Sequence, residues 1–129
     1  MVVFGVYGCQ SSKNTVDESM RKWVELFAAA DKYDAQGFHV VIAGDMNAAI
    51  GASIPNNCPS YNNNGKNIIK ILKNNPQWRI VNGLNKKTDN RTHVDRSHKS
   101  SKRCLDYFIT NSIDKHFRMT VDNDYSFTP

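Results

Sequence analysis

Two stretches of the chain place carboxylates where carboxylates are unusual. The first, Gly44-Asp45-Met46-Asn47, follows an apolar run at 38–43. A short continuous apolar run reads as a strand buried on both faces. An acidic residue leaving its end arrives at a sheet rim, where ligand sites gather. There Asp45 is suited to orienting a water or taking its proton, and Asn47 to donating hydrogen bonds to a phosphoryl oxygen. Asp45 and Asn47 would point the same way if the strand continued, and Gly44 admits a close backbone approach. Taken alone, the tetrad is first of all common turn chemistry. The second stretch is Arg103-Cys104-Leu105-Asp106-Tyr107-Phe108-Ile109. A charge at Asp106 is costly there unless a histidine, an arginine or a metal pairs with it. Strand alternation also allows it to face solvent, and both readings stay open on this segment.

The elements that must hold these groups are readable from pattern. Residues 2–7 are apolar and β-branched, a strand, and Cys9 begins a polar loop. Thr15 offers an N-cap, with Glu18 three residues on to complete a capping box. Val16, Met20, Trp23, Val24, Phe27 and Ala30 then recur at helical spacing, and Gly37 is the stop. That stripe assigns Trp23 to the core rather than to a stacking platform. A loop is expected over 55–64 and a second helix over 65–75, with Ile68, Ile69, Ile71 and Leu72 inward and Pro76 beyond it. Strands are expected at 78–81, 92–94, 104–110 and 117–121, with a polar connection at 95–103. Strands alternating with helices, then strands alone, indicate a layered α/β or α+β domain.

The 129 residues are one domain's worth or less. Seventeen Lys and Arg against twelve Asp and Glu give a net charge of +5, which favours polyanionic partners or simply makes a soluble, lysine-rich surface. Arg96, Lys99, Lys102 and Arg103 concentrate that charge in one connection, which either contacts phosphates or is a solvated turn. Cys9, Cys58 and Cys104 are widely spaced and odd in number, a poor disulfide framework and no zinc spacing. Reduced thiols point to an intracellular protein. No apolar run approaches 18 residues and no signal segment is evident, so neither membrane nor secretion is indicated.

Taken together and in order, these stretches resemble the endonuclease/exonuclease/phosphatase family, and within it the endonuclease domains of non-LTR retrotransposons. Val6-Tyr7-Gly8-Cys9 resembles that family's Val-Tyr-Ala-Pro after a strand. Gly44-Asp45-Met46-Asn47-Ala48-Ala49-Ile50-Gly51 is similar to its Gly-Asp-Phe-Asn-Ala-x-Ile-Gly. Asn63-Asn64-Gly65-Lys66-Asn67-Ile68-Ile69 resembles the Asn-x-Asn-Gly-x-x-Leu-Leu that opens the next helix, and Leu105-Asp106-Tyr107-Phe108-Ile109-Thr110-Asn111 the closing strand. The resemblance implies a two-sheet β-sandwich flanked by helices, of which this chain would be the later half. It implies in-line water attack on a phosphodiester with Mg²⁺ or Mn²⁺. Tyr7 would sit beside the scissile phosphate. Asp45 would activate the water or share in binding the metal, Asn47 would stabilise the transition state, and Asp106 would orient a histidine. Arg96, Lys99, Lys102 and Arg103 would meet nucleic acid, DNA above all, in an intracellular setting, the nucleus included.

The departures carry expectations too. The family's metal-binding Glu precedes the Tyr strand, and its Asp-His pair follows the last strand. Residues 1–129 would thus be a partial domain lacking its first strands and its terminal Asp-His segment. His39, in the buried strand, reads as core, while His93, His98 and His116 do not substitute obviously for the family's catalytic one. The isolated chain is expected to hydrolyse little, and its uncovered sheet face to favour self-association. Two other functions stand beside the nicking endonuclease: a lipid or nucleotide phosphoesterase of the same fold, and a non-enzymatic truncated remnant that binds nucleic acid or protein.

Overall fold

The computed structural model describes residues 1–9, 15–54, 57, 59–82, 93–94 and 102–112. The chain enters as strand β1 (Val2–Tyr7), whose alternate residues turn to opposite sides. Helix α1 (Val16–Ala35) follows, opened by the expected capping box: the Thr15 hydroxyl accepts from the Glu18 N–H and the Glu18 carboxylate accepts from the Thr15 N–H. Its inner face buries Trp23, Phe27 and Ala30. Val16 and Val24, expected inside, are 50% and 49% exposed; the buried stripe of this helix is narrower than its apolar pattern. Gly37, at φ +84°, takes the left-handed turn that ends the helical segment.

Strand β2 (Val40–Asp45) begins later than expected and runs two residues further. Helix α2 (Asn63–Asn74) starts two residues before the expected Gly65, because the Asn62 side chain accepts from the Gly65 N–H at 2.8 Å and caps it. Three short strands come next: β3 (Arg79–Ile80), β4 (His93–Val94) and β5 (Lys102–Arg103). Strand β6 (Asp106–Thr110) closes the described list, two residues inside the expected 104–110. The strand expected at 117–121 lies outside the described residues.

The main sheet has four strands in the order β1-β2-β6-β3, with β1 parallel to β2 and the other pairs antiparallel. The β4–β5 ribbon is a separate, antiparallel pair. This is a mixed α+β architecture. One sheet face packs on the helices: Val40, Ile42, Tyr107 and Ile109 join Trp23, Phe27, Ile68 and Ile71 in a single core, with Val2, Phe4 and Val6 against it. On the other face Val3 is 58% exposed and Phe108 44%, while Val41 and Thr110 are buried at its far end. No helix among the described residues is long and apolar enough to cross a membrane.

Candidate functional site

Register, rather than proximity in sequence, builds the site. In the parallel β1–β2 ladder Tyr7 stands opposite Asp45, and in the antiparallel β2–β6 ladder Asp45 stands opposite Asp106. Tyr7, Asp45 and Asp106 therefore form one row across three adjacent strands. Ladder partners carry their side chains to the same face, with β-carbons about 4.5–5.5 Å apart for directly opposed antiparallel residues. Asp106 alternates with the buried Tyr107, which places it on the face opposite the helices, the face that also carries Phe108. Asp106 is half-buried on that face, with a second carboxylate as its ladder neighbour. Tyr7 is 75% exposed, and Asp45 and Asp106 are half-buried.

The row is held by its backbone. Gly44 sits at φ +140°, opposite Val6, and a β-carbon there would collide with the Val6 carbonyl oxygen. Gly8 is under a similar constraint from the Met46 carbonyl. Past the strand ends, the Gly8 N–H donates to Asp45 O at 2.8 Å and the Met46 N–H to Leu105 O at 2.9 Å, so all three chains stay registered where they leave the sheet.

Asn47 takes a left-handed conformation, φ +45°, so the strand does not continue and Asn47 does not follow Asp45 by strand alternation. Its N–H donates to Asp45 Oδ1 at 2.9 Å, closing an Asx turn, and its side-chain amide donates to the Gly8 carbonyl. The tetrad is a turn, and Asp45 stands at the end of β2 where that turn begins. Asn47 ties the exits of β1 and β2 together.

Behind the row lies a network that motif reasoning missed. Asn64, 2% exposed, accepts from the Ser19 hydroxyl at 2.6 Å and from Trp23 Nε1 at 3.1 Å. Its amide donates to Cys9 O at 2.7 Å and to Asn47 O at 3.3 Å. Asn62 donates to Asn47 O at 2.7 Å and accepts from the Ala49 N–H at 2.9 Å. Asn82, 1% exposed, donates to Asp106 O at 2.9 Å and accepts from the Phe108 N–H at 3.0 Å, gripping β6 on both sides of Tyr107. A sequence signal existed for Asn64: it shares helical spacing with the inward Ile68 and Ile71. Tyr107 is fully buried, its hydroxyl within reach of the Ala48 and Cys104 carbonyls. Burial, then the Cys104 thiol and Asp106, push its phenol far above the ordinary value.

The remaining expected residues fall elsewhere. Lys102 and Arg103 form β5, paired with β4; Arg96 and Lys99 lie outside the described residues. His39 precedes β2 at the opposite end of the sheet, half-buried rather than core, its Nε2 3.0 Å from Thr110 Oγ1. His93 is on β4, and His98 and His116 lie outside the described residues. A cavity of about 270 Å³ lined by Tyr7 contains neither Asp45 nor Asp106. Among the described residues no cluster of three or more His, Cys, Asp and Glu is arranged to hold a metal ion. No family model, curated protein or solved structure matches the chain.

Proposed function

We propose that this chain carries part of a metal-dependent phosphodiesterase site of the endonuclease/exonuclease/phosphatase kind, acting on nucleic acid and on DNA in the first instance. The observation that supports it is the row Tyr7, Asp45, Asp106 at one rim of the sheet, where β1 and β2 end and β6 begins. Two adjacent carboxylates suit a hard divalent cation such as Mg²⁺, which characteristically takes one or two carboxylates and leaves its other positions to water and substrate phosphate. When bound, the cation would neutralise charge developing on the phosphoryl group. Asp45, fixed by the Asn47 N–H, is placed to hold that ion or to take a proton from the attacking water. Tyr7, exposed in the same row, would orient a phosphate oxygen. The four-stranded sheet would be one layer of a two-sheet sandwich. In the β4–β5 ribbon, Lys102 and Arg103 would add sequence-independent phosphate contacts.

Titration with Mn²⁺ tests the reading on the chain as it stands. Its paramagnetism should broaden the backbone amide signals of Tyr7, Asp45 and Asp106 first, and Asp45→Asn should abolish this local effect. Broadening confined to other carboxylates would refute the site. In any form of the protein that nicks supercoiled plasmid, Asp45→Ala should abolish nicking without unfolding the domain; retained turnover would refute its role. Release of inositol phosphate without nicking would favour the lipid-directed alternative.

A further inference from the structure

The cavity beside Tyr7 has its own chemistry. It lies between β1, at the edge of the described sheet, and α1, and is walled by Val6, Tyr7, Trp23 and Leu26 with Cys9 and Lys22. Lys22 Nζ donates to Cys9 Sγ at 3.0 Å. A thiol's nucleophilic form is its anion, which a neighbouring ammonium stabilises. We propose that Cys9 is a modification site, a thiolate paired with the Lys22 ammonium that adds to small, uncharged, electron-poor alkenes entering this cavity. Val6, Trp23 and Leu26 offer apolar walls that suit an uncharged electrophile over an anionic one. In the addition the sulfur lone pair forms a C–S bond at the β-carbon. The alkene π pair moves to the α-carbon, which takes a proton from the Lys22 ammonium, and water returns that proton to the amine.

The other described cysteine supplies a contrast within the same chain. Cys104 is fully buried, its thiol donating to Asp106 O at 3.2 Å and accepting from Asn82 Nδ2 at 3.4 Å. Buried and committed in this way, it is inert to reagents in solution. An adduct at Cys9 would also reach the strand exits, because the Cys9 carbonyl is held by Asn64 and the preceding Gly8 carbonyl by Asn47. The chemistry at Cys9 does not depend on the row being catalytic.

N-ethylmaleimide is the probe, with the rate at each cysteine read by peptide mass mapping of the intact chain. At pH 7 Cys9 should react at least tenfold faster than Cys104. Lys22→Met should slow Cys9 at least fivefold at pH 7 yet leave it within twofold at pH 10, where thiolate forms without help, and Lys22→Arg should retain most of the rate. Lys22 is exposed, and circular dichroism verifies that each variant is folded. A Cys9 rate unchanged by Lys22→Met at pH 7 would overturn the proposal. So would equal slowing at both pH values, or Cys9 reacting no faster than in the urea-unfolded chain.

Discussion

Replacing Asp45 by asparagine separates a metal site from an incidental pair of acids. Asp45 and Asp106 are directly opposed on β2 and β6, with β-carbons about 5 Å apart for such a pair; two unit charges at that spacing would repel by roughly 1 kcal/mol in water and about 3 kcal/mol at an effective dielectric near 20. Both side chains are half-buried at a rim, so the lower figure applies, about 1 kcal/mol. Asparagine has nearly the same shape, and its carbonyl oxygen can still accept from the Asn47 N–H that Asp45 now receives at 2.9 Å. With cations removed by EDTA, Asp45→Asn should therefore be the more stable protein, melting about 3–5 °C higher for a domain of this size. Ten millimolar Mg²⁺ binding with a dissociation constant on the order of 1 mM should stabilise the native protein by about 1.4 kcal/mol, and the variant by almost nothing. The order of melting temperatures should then invert. Thermal unfolding by circular dichroism with and without Mg²⁺ reads all four states. Equal Mg²⁺ shifts in both proteins, or a variant less stable in EDTA, would refute the reasoning.

Three further outcomes follow from the framework around the row. Gly44→Ala must place a β-carbon on the Val6 carbonyl at φ +140°, whereas Gly5→Ala in the adjacent strand meets nothing within 4 Å. The first should cost about 3 kcal/mol or more in urea unfolding, and the second should be neutral or stabilising by up to about 1 kcal/mol; similar values for the two would contradict the close approach of β1 and β2. Asn64→Ala removes the acceptor of the buried Ser19 hydroxyl and Trp23 N–H and a donor to the Cys9 carbonyl. It should destabilise by about 3–5 kcal/mol, and a loss under about 1 kcal/mol would show that the network carries no weight. The Tyr107 phenol keeps its proton in the folded chain above the pH at which the unfolded phenol, with an ordinary value of 10.0, loses it. Stability from this group is whole below about pH 10 and falls above it by about 1.4 kcal/mol per pH unit. Urea midpoints between pH 10 and 12 should decline more steeply for the native protein than for Tyr107→Phe.

Local rules made much of the frame readable. The β1 strand and the Thr15–Glu18 cap follow from short-range chemistry that no tertiary contact overrides. The start of α2 was hidden because an asparagine-rich stretch looks like loop until one of its members turns inward as a cap and another is buried under α1. Val16 and Val24 match the helical period yet stay outside, since the period counts apolar residues without knowing the width of the surface they meet. Asp45 and Asp106 were each visible as displaced charges. Their pairing was not, because register between strands so distant in sequence is decided by tertiary packing, which no local pattern encodes.

A site at a sheet rim faces a conflict that the asparagines resolve. Met46, Ala48, Ile50 and Tyr107 are buried beside this rim, but the half-buried row itself cannot be held by apolar packing alone. The strand exits there carry main-chain groups that have lost their ladder partners. An amide side chain both donates and accepts, so one asparagine can satisfy two strands at once without adding charge. Asn64 does this for the exits of β1 and β2, while Asn62 holds the exit of β2 and Asn82 holds β6. Carboxylates in those positions could accept but not donate, and would add repulsion to a rim that already carries Asp45 and Asp106. The rim can therefore keep two acids side by side because the groups that fix it are neutral.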